Sequence, residues 1–234
     1  MVGVEKAKIK KIQIALLEWF EKNGREFPWR ETNNPYEILI AEKLLQQTSV
    51  RDDLVQAYYK LLSKYPNVQA LAKANHKDIQ KIIKPLGLHY RAKEMVRLAK
   101  EICKKYKGKI PDNLTDLLSL FGIGDYSARA ILCFAFRQIV PVVDTNVARI
   151  MYRVFGIQGK TPTNPSRKKD LILLGTKLLP QSKPQEMNWS MIDLGSRVCT
   201  TSNPHCDICP LNRVCQFNMQ NSSVRGEEKF YAPS

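Results

Sequence analysis

Four cysteines crowd into one short stretch near the C-terminal end of the chain: Cys199, Cys206, Cys209 and Cys215, spaced Cys-x6-Cys-x2-Cys-x5-Cys. Four soft thiolates on one loop suit tetrahedral zinc or an iron–sulfur cluster, and spacing alone does not separate the two. A second chemical signal is Gly122-Ile123-Gly124, which follows the apolar run LLSLF and precedes a helical pattern. Glycines one residue apart allow positive φ and close backbone approach, and a helix start aims amide groups and a positive dipole end at what sits there, for which phosphate is the natural guest. Two acids complete the set. Glu42 interrupts the apolar stretch YEILIAEKLLQQT among Leu39, Ile40, Leu44 and Leu45, a setting expected to half-bury it. Burial would raise its pKa towards that of a general acid, unless solvent or Lys43 shields it. Asp144 stands alone before a helix, as an N-cap or as a charge facing a cleft.

The bulk composition agrees with a phosphate-rich partner. Lys and Arg number 37 against 22 Asp and Glu, a net charge of +15 and a pI near 9.6. Such an excess favours a polyanion, because counterion release drives association. No apolar run approaches the roughly 18 residues of a membrane span, and the N-terminus lacks a signal-peptide core. The chain reads as cytoplasmic and membrane-free. Clustered cysteines in such a chain point to metal rather than disulfides, with Cys103 and Cys133 as buried spectators.

These groups must be positioned by helices, since nothing alternates with period two for long. Ile9, Ile12, Leu16, Trp19 and Phe20 share one face of an N-terminal helix that ends at Asn23-Gly24. The link REFPWRETNNPYE reads as a loop, in which Trp29 and Arg30 either wall a base pocket or plug the core beside a surface arginine. Short helices follow to about residue 135, among them a basic amphipathic one over 91–106. Others run over 146–155 and 171–179, and MIDLGSRV leads into the cysteines. The fold class predicted is all-α.

The combination of motifs resembles the endonuclease III/MutY superfamily of DNA glycosylases, the helix-hairpin-helix group with a downstream aspartate and a 4Fe–4S cluster loop. LSLFGIGDYSA resembles the hairpin, with Phe121 where proline is usual. VVDTNVARI resembles the segment of the catalytic aspartate, EKLLQQTSV the MutY-type helix, and MIDLGSRVCTTSNPHCDICPLNRVC the cluster segment. The resemblance runs from Phe27 to Cys215. It implies two helical lobes: residues 27–136, a six-helix barrel-like domain with the hairpin, and residues 1–26 plus 137–234, carrying Asp144 and the cluster loop at 199–215.

By the same resemblance Glu42, Asp144 and Tyr126 are catalytic, and Gln47 and Leu88 wedge into the base stack. Gly122 and Gly124 hold a backbone phosphate, with a monovalent or divalent cation as a further hairpin ligand. Arg30, Trp29, Tyr126 and Trp189 wall the base pocket. Tyr126 stands where bifunctional members carry the Schiff-base lysine, so hydrolysis without strand cleavage is implied. The partner implied is double-stranded DNA with a mismatched or damaged base, bound by a monomer associated with a prokaryotic nucleoid. Mig-type enzymes remove thymine or uracil opposite guanine, and MutY removes adenine opposite 8-oxoguanine. Gln46-Gln47 favours MutY. Trp189 replaces that group's pocket glutamine, Thr145 its glycine, and the chain ends soon after the cysteines, without room for a MutT-like domain. The expectation is thymine or uracil. Adenine is the alternative, and a non-catalytic helix-hairpin-helix DNA-binding protein or a zinc-stapled scaffold the more remote ones.

Overall fold

Asn34 and Pro35 start the helix around which one of the two units is built. The Asn34 side chain accepts from the Tyr36 amide, and Pro35 occupies a first-turn position where its missing N–H costs nothing. The computed structural model describes residues 2–46, 50–87 and 89–221. Among them lie eleven α-helices, and the chain divides into a unit of residues 26–138 and a unit of residues 1–25 with 139–234.

The 26–138 unit holds α2 (Pro35–Leu45), α3 (Asp52–Lys64), α4 (Val68–Ala72), α5 (His76–Ile83), α6 (Arg91–Tyr106), α7 (Leu114–Leu118) and α8 (Asp125–Phe134). Helix α2 packs against α3 and α8, while α6 packs against α4 and α5. Most of α2 is buried, Ile38, Leu39, Ile40, Ala41 and Leu44 among its residues. A helix apolar on nearly all sides belongs at the centre of a core. That position decides what becomes of the two charged residues it carries.

The other unit holds α1 (Val2–Asn23), α9 (Thr145–Phe155), α10 (Lys169–Leu178) and α11 (Pro184–Arg197). Ile12 and Leu16 of α1 meet Val147, Met151 and Val154 of α9 and Met187, Met191 and Leu194 of α11 in its core. Buried Asp193 of α11 receives the Arg25 backbone amide at 2.9 Å and its guanidinium at 2.7–2.8 Å. Asn188 of α11 similarly receives Val142 N at 2.8 Å and donates to the Val140 and Pro184 carbonyls. No helix among the described residues is long and apolar enough to cross a membrane.

Candidate functional site

The glycine turn lies between α7 and α8. Gly122 has φ +70°, so the positive-φ expectation holds there. Gly124 departs from it, with φ −98° and ψ 178°, as the extended N-cap of α8. The reason for glycine at 124 is therefore access rather than conformation. A Cβ built there meets nothing within 4 Å, and no side chain caps the start of α8. The first-turn amides of a helix have no intrahelical acceptors, which makes this face suited to an anion.

Behind the turn, charged side chains hold it. Phe121 donates its amide to Glu101 at 2.9 Å, and the Arg97 guanidinium lies 3.6 Å from the Phe121 ring centroid. A proline at 121 would lack that amide, so Glu101 and Arg97 are the local counterpart of the departure from the family pattern. The Lys105 ammonium, followed by the Phe121 amide, holds the Glu101 carboxyl below its usual range. Lys43 donates to the Gly122 carbonyl at 3.2 Å, and Gln46 to the Ser127 hydroxyl at 3.3 Å.

Glu42, on the central α2, is 6% exposed, deeper than the half burial read from its neighbours. Burial alone pushes its carboxyl up to about 8, and no electrostatic influence of Lys43 contributes. An acid with that proton affinity retains its proton at neutral pH and can give it to a departing group.

In the 1–25/139–234 unit, half-buried Asp144 caps α9. One carboxylate oxygen accepts from the Val147 amide at 2.7 Å and the other from the Asn146 side chain at 3.1 Å. The contacts continue. Asn146 accepts from Arg149 at 2.9 Å, and Arg149 donates to the Cys199 and Gly195 carbonyls at 2.9 and 2.8 Å. Arg153 reaches the Cys199 sulfur at 3.3 Å and the Thr200 and Thr201 carbonyls at 2.6 and 2.8 Å. Helix α9 therefore carries the aspartate at one end and grips the cysteine segment along one face. Asn146, Arg149 and Arg153 were not among the sequence candidates. The i, i+4 spacing of the two arginines was legible, but their targets some 46–50 residues away were not.

Cys199, Cys206, Cys209 and Cys215 line one cavity with Ile150, Leu194 and Leu211. Burial, then the other three thiols, push Cys209 up to about 12, and burial raises Cys215 too. Four thiols that near one another fit a soft cationic group, which would favour their thiolate forms. Among the described residues no three His, Cys, Asp or Glu side chains converge on a single-ion site, so the fit rests on the four cysteines lining one cavity. Cys103 and Cys133 lie on α6 and α8 in the other unit.

Trp29 is 7% exposed, stacked on Phe27 at 5.0 Å and edge-on to Tyr58 at 5.4 Å. Of the two roles open to it, this is the core plug, and so buried a ring has little face left for a base. Arg30 stays partly exposed over the Phe27 ring. Tyr126 lies in the first turn of α8, and Trp189 of α11 stacks on Phe20 of α1 at 6.4 Å. Gln47 and Leu88 lie outside the described residues.

Comparison with known proteins gives these features a context. The chain is 36% identical over 221 residues to the thymine-DNA glycosylase of Aeropyrum pernix, covering 93% of this chain and 98% of that one. It is 34% identical to the adenine DNA glycosylase of Buchnera aphidicola, covering 86% of this chain and 57% of that one. The solved structure of a thermostable thymine-DNA glycosylase superposes with a TM-score of 0.85 at 31% identity, covering 92% of this chain and 98% of that one. Residues 40–172, from α2 through the hairpin and α9 into α10, match the HhH-GPD superfamily of base excision DNA repair proteins, and the chain belongs to that family as a DNA N-glycosylase.

Proposed function

We propose that this enzyme is a monofunctional mismatch glycosylase that removes thymine or uracil opposite guanine and leaves an abasic site. The observation that carries the reaction is the proton-holding carboxyl of Glu42 on α2. The choice of base is supported by similarity to a thymine-DNA glycosylase across nearly its whole length, and by Trp189 and Thr145 standing where MutY-type enzymes differ.

A base within a duplex is out of reach, so the nucleotide leaves the stack, most easily at a mismatch. The hairpin amides from Gly124 onward bind a backbone phosphate, and Gln47 and Leu88 fill the gap in the stack. Glu42 protonates or hydrogen-bonds the base, which departs poorly as an anion. The Asp144 carboxylate stabilises the oxocarbenium-like sugar and assists the attacking water. Arg30, Tyr126 and Trp189 contact the flipped base. Tyr126 cannot form the Schiff base of a lyase, so the abasic strand stays intact.

Cys199, Cys206, Cys209 and Cys215 would hold a 4Fe–4S cluster, which when bound supplies structural cross-linking of its loop. Arg149 and Arg153 would transmit that order to α9 and its capping Asp144.

The test is a panel of labelled duplexes (T·G, U·G, A·G, A·8-oxoguanine, thymine glycol) with heat–alkali readout. Release from T·G and U·G is expected. Release from A·8-oxoguanine alone would instead support adenine, the reading favoured by EKLLQQTSV and by the adenine glycosylase relative. No release from any of these duplexes would overturn both choices of base.

A further inference from the structure

Lysine is among the residues least often fully buried, because an unpartnered ammonium in a core costs heavily. Lys43 is nevertheless 2% exposed. Its ammonium is satisfied by the Gly122 carbonyl at 3.2 Å and by the Glu94 carboxylate at 4.0 Å. Burial lowers its proton affinity and the neighbouring Arg91 adds to that, while Glu94 opposes both. Arg91 also donates to the Lys43 backbone carbonyl at 3.1 Å, which fixes the end of α2 from which the side chain extends.

The contact falls on the left-handed residue of the hairpin. A Cβ built on Gly122 would stand 3.0 Å from the Lys43 nitrogen. Glu101 and Arg97 hold the preceding Phe121, and the open Gly124 follows two residues later. A hydrogen bond from an ionised donor is roughly twice as strong as a neutral one, and it sets the plane of the peptide that precedes the phosphate-facing amides. The ammonium also adds a fixed positive charge to the positive end of α8.

We propose that Lys43 is a positioning residue for the hairpin's phosphate contact, pinning the Gly122 carbonyl and supplying from within the protein the charge that a metal cation at the hairpin would supply. This role rests on the hairpin being the phosphate contact, and the two are separable by experiment.

The probe is a duplex carrying a stable abasic-site analogue, with its Kd measured by fluorescence anisotropy in potassium chloride and in tetramethylammonium chloride at equal ionic strength. Wild type is expected to bind equally in both salts. Lys43→Met keeps most of the stem and removes the charge. It is expected to bind about tenfold more weakly in tetramethylammonium and to recover several-fold in potassium, since one charge-assisted hydrogen bond is worth about that factor. A loss equal in both salts means a merely structural role and overturns the inference, as does wild-type-like binding by the variant. If Lys43→Met does not fold by circular dichroism, the wild-type comparison still decides: wild-type binding that requires potassium overturns the inference.

Gly124→Asp separates the two readings. Aspartate is a favoured N-cap and has open space at that position, so the fold is kept while the phosphate-facing amides are occupied. Wild-type affinity in Gly124→Asp would mean that the hairpin reading has failed. Lost affinity there, with Lys43→Met binding like wild type, would remove the Lys43 role alone.

Discussion

Replacing Glu42 with glutamine should make the protein more stable and almost inactive, and the gain in stability should grow with pH. The folded-state carboxyl is raised from 4.5 to about 8 by burial, so the folded protein favours the proton-bearing form. Below 4.5 both folded and unfolded chains carry the proton and nothing is lost. Between 4.5 and about 8 the unfolded chain ionises while the folded one does not, and wild type loses stability at about 1.4 kcal/mol per pH unit. The loss amounts to about 3 kcal/mol at neutral pH and levels off near about 5 kcal/mol above pH 8. Glutamine has nearly the same shape and no charge to desolvate, so Glu42→Gln escapes this slope.

Urea melts of both proteins at pH 4, 5, 6, 7 and 8 should show the smallest difference in midpoint at the acid end and a steady divergence upward. In parallel, single-turnover base release by wild type should fall above pH 8 as the acid ionises. Glu42→Gln should be slower by about 100-fold or more, the usual contribution of a general acid. A stability difference independent of pH, or a rate that rises through pH 9, would refute the buried-acid account.

The remaining predictions concern the other groups. Asp144→Asn preserves an equally good N-cap for α9, so stability should change by less than about 0.5 kcal/mol, with base release lost and duplex binding retained in a gel-shift assay. Wild-type products should nick only after heat and alkali, and nicking without alkali would contradict the role given to Tyr126. Purified protein should be brown, absorbing near about 400 nm. Cys209→Ser should lower bound iron and melting temperature together, and a colourless wild type containing zinc would replace the cluster with a structural zinc site.

Much of this protein was readable residue by residue wherever the governing physics is local. Asp144 before a helix, Asn23-Gly24 at the end of another, and the glycine turn all express rules that operate within a few residues. Their places in the fold agree, apart from Gly124, whose backbone is extended. The all-α class followed from periodicity and from the family resemblance, and the basic charge from composition alone.

The three-dimensional fold decided matters that depend on partners distant in the chain. Glu42 and Lys43 are adjacent in an apolar stretch, and only the packing of α3 and α8 around α2 makes that helix central enough to bury both. Burial then separates their fates: the acid holds its proton, and the amine reaches a carbonyl 79 residues away. Trp29 had two possible roles until Phe27 and Tyr58 covered it. Phe121 departs from the usual proline, and its amide finds an acceptor on a helix 20 residues earlier. Sequence assigns residues to helices and helices to a family, because turns, caps and hydrophobic stripes are short-range. The proton affinity of an acid depends on how much water the whole fold removes from it, and that is set only once the helices pack.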